Sequence, residues 1–245
     1  MPTEPSAALV PGGRIVAMSH PMPPPSPADA APPRCVVVVP VKPPALGKSR
    51  LSDLAEDDRR ELAEAFALDT VMAAASTPGV DAVLVVTDDF RLAASMRALG
   101  CEVMPDGASD DLNATLVQAA AEVVRRWPGA VPVALLADLP GLRPVELAGV
   151  LAEVVRHVAA GEAVFVRDRS GVGTTLYAAA ADRFAPGFGL DSAGRHAGAG
   201  AVEVGSDAPS VRMDVDDLAD LGAALVAGVG PHTSLANGRR ATPLG

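Results

Sequence analysis

The chain alternates between short runs that are apolar at every position and longer stretches that are apolar at every third or fourth. The continuous runs are "CVVVVPV" (35–41), "DAVLVVT" (81–87) and "VPVALLA" (131–137), and they predict strands buried on both faces. Helical periodicity covers Asp57 to Ser76, Phe90 to Leu99 (leading into "CEVMP") and Leu112 to Trp127. In the last of these, Leu112, Leu116, Ala119, Val123 and Trp127 share one stripe. The helix Pro144 to Ala160 opens on proline and places Leu147, Val150, Leu151, Val154, Val155 and Val158 on one face. Later strands are expected at "AVFV" (163–166), "TTLYAAA" (174–180) and "SVRMDV" (210–215), and a final helix at Asp217 to Ala227. No internal repeat is visible. Strands alternating with helices, the strands apolar throughout, predict an α/β layered fold with a mostly parallel central sheet flanked by helices. In such folds ligands bind beyond the carboxyl ends of the strands. Lys42, Asp138, Asp214 and Asp216 are all expected at strand ends.

The periodic region is bounded on both sides. Residues 1–33, with "HPMPPPSPADAAPP" at their extreme, bury too little apolar surface to offset ordering entropy and are expected to be disordered. They lack the basic start and continuous apolar stretch of a signal peptide, and read as a dispensable tail or an upstream start, with Met18 and Met22 also available. One domain is expected over 34–232, followed by a flexible C-terminal tail over 233–245.

Composition narrows the function. Half the chain is hydrophobic but only 3% is aromatic, so the core must be built from Ala, Val and Leu. The net charge of −10 argues against a nucleic-acid surface, and no apolar run reaches membrane-spanning length. A soluble, cytoplasmic protein is expected. Cys35 and Cys101 lack metal-ligand spacing and read as buried thiols in a reducing compartment. Among 20 basic residues only Lys42 and Lys48 are lysines.

Those lysines lie in "KPPALGKSRL". Gly47, Lys48 and Ser49 imitate a P-loop, but Lys42 stands where its first glycine belongs, and Pro43 and Pro44 lack N–H groups to cradle phosphate. A P-loop is rejected. What is left is either a basic clamp for a triphosphate, made of Lys42, Lys48 and Arg50, or a solvated basic turn. Asp138 ends the most hydrophobic strand, in "PVALLADLPGL" (132–142), where a carboxylate needs compensation. In "MDVD", Asp214 and Asp216 point to one side of an extended segment. With Asp138 they make a cluster suited to magnesium. The alternative is a helix N-cap, with Asp216 as the cap. "DRSGVGTTLY" (168–177) lacks a dinucleotide fingerprint, so it is either a small-anion loop or an ordinary turn. Gly189 and Ser192 precede a short helix carrying Arg195 and His196, and the histidine reads as a solvated bystander. No nucleophile–base set is present.

Taken in order, "VPVKPPALGKSRL", "DLN" (111–113), "ADLPGL", "DRSGVGTT", "FGLDSAGRH" and "MDVDDLADL" resemble one family over about residues 35–232. It is the guanylyltransferases of coenzyme F-420 biosynthesis, which use 2-phospho-L-lactate or, in bacterial relatives, phosphoenolpyruvate. The resemblance implies a single-domain, three-layer, Rossmann-like nucleotidyltransferase fold, like that of the molybdenum-cofactor guanylyltransferases. It implies GTP, Mg²⁺ and a small phosphorylated carboxylic acid as partners, with no nucleic acid or membrane. By position it implies Lys42 and Lys48 on the GTP phosphates, Asn113 at the nucleoside, and Asp138, Asp214 and Asp216 on the metal. Thr174, Gly189 and Ser192 would hold the phospho-acid, although "RFAPGFGLDS" is longer than the compact form associated with the family. The sequence leaves open which phospho-acid is used, 3-phospho-D-glycerate included, and whether the chain forms a homodimer.

Three rival readings differ in what they predict. Another nucleotidyltransferase of this fold, acting on a pterin or a sugar phosphate, calls for a more glycine-rich first loop than "VKPPALGKSR". A non-catalytic nucleotide-binding module predicts GTP binding without turnover. A domain serving only oligomerisation predicts no metal-dependent binding.

Overall fold

In the computed structural model, described over residues 34–41, 54–108 and 111–241, each of the three continuous apolar runs forms a strand. These are β1 (Cys35–Pro40), β2 (Val80–Val86) and β4 (Val131–Leu135), with the short β3 (Glu102–Met104) after the second helix. Helices α1 (Glu56–Ala75), α2 (Phe90–Ala98), α3 (Leu112–Arg126) and α4 (Pro144–Ala159) lie within a residue or so of the expected spans. Then follow β5 (Val164–Arg167), β6 (Thr174–Ala178), α5 (Ser192–Gly198), β7 (Val202–Glu203), α6 (Leu218–Ala227) and α7 (Pro231–Ala241).

The seven strands form one sheet in the order β3-β2-β1-β4-β6-β5-β7. Its pairs are parallel except where β6 runs antiparallel to β4 and β5. Successive residues of each strand serve opposite layers. Val37, Val39, Val133 and Leu135 pack towards α1, α2 and α4. Val36, Val38, Ala134 and Tyr177 pack towards α3 and α5. Leu147, Val150, Leu151 and Val154 of α4 are buried, as its stripe requires. The chain leaves β1 towards β2 and β3 and returns on the other side at β4, so the carboxyl ends of β1 and β4 flank the switch in strand order.

Two expectations change. "SVRMDV" is not a strand: Pro209–Val211 form a 3-10 turn, and 213–216 run without ladder pairing. Single backbone bonds fasten this segment across the strand ends. The Arg169 N–H donates to the Arg212 carbonyl (2.7 Å), and the Val215 N–H to the Asp138 carbonyl (3.0 Å). The segment therefore crosses the strand ends instead of extending the sheet, and the edge beside β5 is taken by β7.

The second change is at the C-terminus, where α7 stands in place of the expected flexible segment as far as residue 241. Buried Asp69 of α1 accepts the His232 and Thr233 N–H groups (3.0 and 2.8 Å), satisfying two of the orphan donors of α7's first turn. No helix among the described residues is long and apolar enough to cross a membrane. Asp69→Ala is expected to cost about 1–3 kcal/mol, the range for losing charged hydrogen bonds at a buried site. Urea unfolding would measure the loss, and limited proteolysis should cut first near α7.

Candidate active site

Asp138 lies three residues past β4 on a backbone fixed at almost every position. The Leu136 N–H donates to the Thr175 carbonyl (2.9 Å), and the Asp138 carbonyl takes the Val215 N–H. Thr70 of α1, fully buried, accepts the Leu139 N–H (3.1 Å), and its hydroxyl lies 3.2 Å from the Ala137 carbonyl. The Pro140 carbonyl takes the Gly230 N–H (2.8 Å). "DLPG" is thus held by α1, β6, the 213–216 segment and the residue before α7. No sequence pattern pointed to Thr70, which reads as an ordinary helical threonine.

The bond between Val215 and Asp138 brings Asp214 and Asp216 to the end of β4. The Asp214 carboxyl is pushed up to about 7, first by burial and then by the charges of Asp138, Asp216 and Asp168. Asp168 was missed by sequence reasoning, and it answers the small-anion question. Its carboxylate accepts the N–H groups of Gly171 and Val172 (2.7 and 3.0 Å) and the Ser170 hydroxyl (2.8 Å). The anion seated in this turn is the protein's own. Gly173 is required there because a Cβ would collide with the Asp168 carboxylate. Asp217, not Asp216, caps α6, accepting from the N–H groups of Ala219 and Asp220 (2.9 Å each).

Asp168, Arg169, Gly173, Gly189, Asp214 and Asp216 are among the residues lining a cleft of about 940 Å³; Asp138 is not among them. Gly189 forms part of its wall with φ 122°, and a side chain there would also meet the Arg195 guanidinium. Thr174 and Ser192 are buried (3% and 2% exposed) and do not line the cleft. Both polar groups of the Asn113 amide are engaged by one residue: Oδ1 accepts the Phe188 N–H (2.8 Å) and Nδ2 donates to the Phe188 carbonyl (3.1 Å). His196, expected to be solvated, is buried against Tyr177, Phe165 and Phe188. Its pKa falls to about 4 through burial, with Arg195 adding to the effect. Lys42, Lys48 and Arg50 lie outside the described residues. Cys35 and Cys101 are free and buried, and burial pushes the Cys35 thiol up to about 11.

The carboxylates suit a hard divalent cation by chemistry, and their mutual repulsion at Asp214 is what such an ion would relieve. Among the described residues, no three His, Cys, Asp or Glu side chains form a ready metal cage.

Residues 35–235 match the family model described as "Guanylyl transferase CofC like". The phosphoenolpyruvate guanylyltransferase of Streptomyces coelicolor is 50% identical over 201 residues, covering 81% of this chain and 93% of that protein. Among solved structures, a Desulfovibrio desulfuricans G20 chain assigned as a nucleotide-diphospho-sugar transferase aligns with TM-score 0.63 at 15% identity, covering 85% of this chain and 96% of that one. CMP:2-keto-3-deoxy-manno-octonic acid synthetase, complexed with CTP, aligns with TM-score 0.52 at 17% identity, covering 79% and 98%. These two likenesses establish the fold, which is that of nucleotidyltransferases.

Gly189→Ala is expected to lower stability by about 1–3 kcal/mol, because alanine is strained at that φ. Denaturant midpoints would measure it, and an unchanged midpoint would show that the wall adapts freely.

Proposed function

The chain belongs to the family of guanylyl transferases like CofC, and from that premise we propose that it transfers GMP from GTP to the phosphate of phosphoenolpyruvate and releases pyrophosphate. In the resembling family this step belongs to coenzyme F-420 biosynthesis. The observation that carries the reading is the meeting of Asp138, Asp214 and Asp216 at a strand end beside a cleft that also contains Gly189.

A phosphate oxygen of the acceptor attacks the α-phosphorus of GTP in line. A new P–O bond forms as the bond from the α-phosphorus to the bridging oxygen breaks, and pyrophosphate leaves with that electron pair. The acceptor phosphate is already ionised near neutral pH, so no general base is required. Asp138, Asp214 and Asp216 would hold Mg²⁺, which when bound supplies charge neutralisation at the phosphates. Lys42, Lys48 and Arg50 are proposed as the phosphate clamp and Gly189 as the acceptor wall, with Thr174 and Ser192, buried out of the cleft, acting on the acceptor only indirectly. What the protein supplies is position and fixed charge. Its buried thiols agree with a cytoplasmic setting.

Pyrophosphate release from GTP and Mg²⁺ is expected with phosphoenolpyruvate, and far more slowly with 2-phospho-L-lactate or 3-phospho-D-glycerate. Metal-dependent GTP binding without release on any of the three would favour a binding module or another acceptor. Asp138→Ala and Asp216→Ala should each reduce turnover by roughly 10²–10³-fold, the scale for losing one transition-state charge stabiliser, with an unchanged circular dichroism spectrum. Wild-type rates in both would refute the metal assignment.

A further inference from the structure

The wall containing Gly189 has no ladder of its own. Residues 184–188 lie outside every strand and helix, and two of the next three residues have positive φ: Gly189 at 122° and, after Leu190, Asp191 at 52°. Backbone of this kind must find its hydrogen bonds elsewhere. Two side chains supply them to successive peptides. His196 Nε2 accepts the Gly187 N–H (2.8 Å), and Asn113 pairs with both polar groups of Phe188.

The bonding pattern fixes the histidine's state. The Gly187 N–H can only donate, so Nε2 is the bare nitrogen and the proton sits on Nδ1, donated to Thr174 Oγ1 (3.0 Å). The depressed pKa agrees with a neutral ring. Stacking on Tyr177 (centroids 4.7 Å apart) holds that ring in place. One imidazole therefore ties β6 to the segment leading into Gly189, and one amide ties the same segment to the first turn of α3.

We infer that Asn113 and His196 are positioning residues for the acceptor, clamping Gly187 and Phe188 from two helices so that Gly189 keeps its place in the cleft wall. The inference rests on the acceptor lying against that wall, as proposed above. It assigns Asn113 to the acceptor side, not to the nucleoside.

The test uses three variants of the full chain. His196→Phe keeps a ring in the aromatic cluster but has no acceptor. His196→Gln places an amide oxygen near the Nε2 position. Asn113→Ala removes the second clamp. His196→Phe is expected to raise the KM for phosphoenolpyruvate about tenfold, the worth of the one bond to Gly187, and Asn113→Ala, which loses two bonds to Phe188, by at least as much, with the KM for GTP and kcat little changed. His196→Gln should recover much of the loss. Amide exchange followed by mass spectrometry should show peptides spanning 185–189 exchanging roughly tenfold faster in His196→Phe and Asn113→Ala, while peptides of α2 are unaffected. Unchanged exchange overturns the clamp whether or not the enzyme is active. A KM rise for GTP in place of the acceptor overturns the acceptor assignment. Wild-type silence with all three phospho-acids would instead sink the guanylyltransferase reading, and the exchange data would still decide the clamp.

Discussion

The arrangement turns on carboxylates held together against their own repulsion. Asp138, Asp168, Asp214 and Asp216 come from three separate stretches of chain, and burial first, then the charges of the other three, raise the Asp214 carboxyl to about 7. Like charges at this range would separate if their backbones were free to move. They are not free: the bond from Val215 to Asp138 joins two of the stretches directly, and the Thr70 hydroxyl accepts the N–H of Leu139, the residue after Asp138. Those bonds are anchored in buried elements, so relaxing the cluster would mean breaking core contacts. The strain is held by the fold and is available to a cation.

The site's geometry is set largely by side chains that bond to backbone at long sequence separation, not by the sheet. Asp69 organises the start of α7, Thr70 the "DLPG" turn, Asp168 its own hairpin, and Asn113 with His196 the segment before Gly189. Each stands where irregular chain leaves peptide groups without a ladder. Such segments are the parts a functional site needs to shape freely, and single polar side chains let each be fixed on its own.

This explains what was legible in the sequence. The strands β1, β2 and β4 and helices α1 to α4 follow from periodicity, because burial on one face or two leaves a repeating signature. Asp138 stood out because a carboxylate at the end of an apolar run is costly. The course of "SVRMDV" was not legible: its apolar positions suit a strand, and only the occupied sheet edge and two isolated backbone bonds turn it across the strand ends. Nor were Thr70, whose partner Leu139 lies 69 residues on, the local turn around Asp168, or the environment of His196, which gathers Thr174 and Gly187 from separate segments. Asn113 shows the same limit. Its place in "DLN" resembles a nucleoside contact, while its amide is engaged by a residue 75 positions on.

An acidic cleft in a chain of net charge −10 is a poor place for an anion. Both substrates of the proposed reaction are anions, and the aspartates that line the cleft would repel them unless a counter-charge stood between. A divalent cation changes the sign of that interaction. Carboxylates that repel phosphate alone bind it through the ion, and substrate phosphates complete a coordination shell that the protein leaves short. If the ion is held as proposed, it would be held best with the triphosphate present, and charge would be neutralised where the reaction needs it. Arg169, the one basic residue lining the cleft among the described residues, is within 3.5 Å of Asp220, so part of its charge is already committed. If Lys42 and Lys48 act as proposed, the phosphates' remaining charge would be their task, since no other basic residue lines the described cleft.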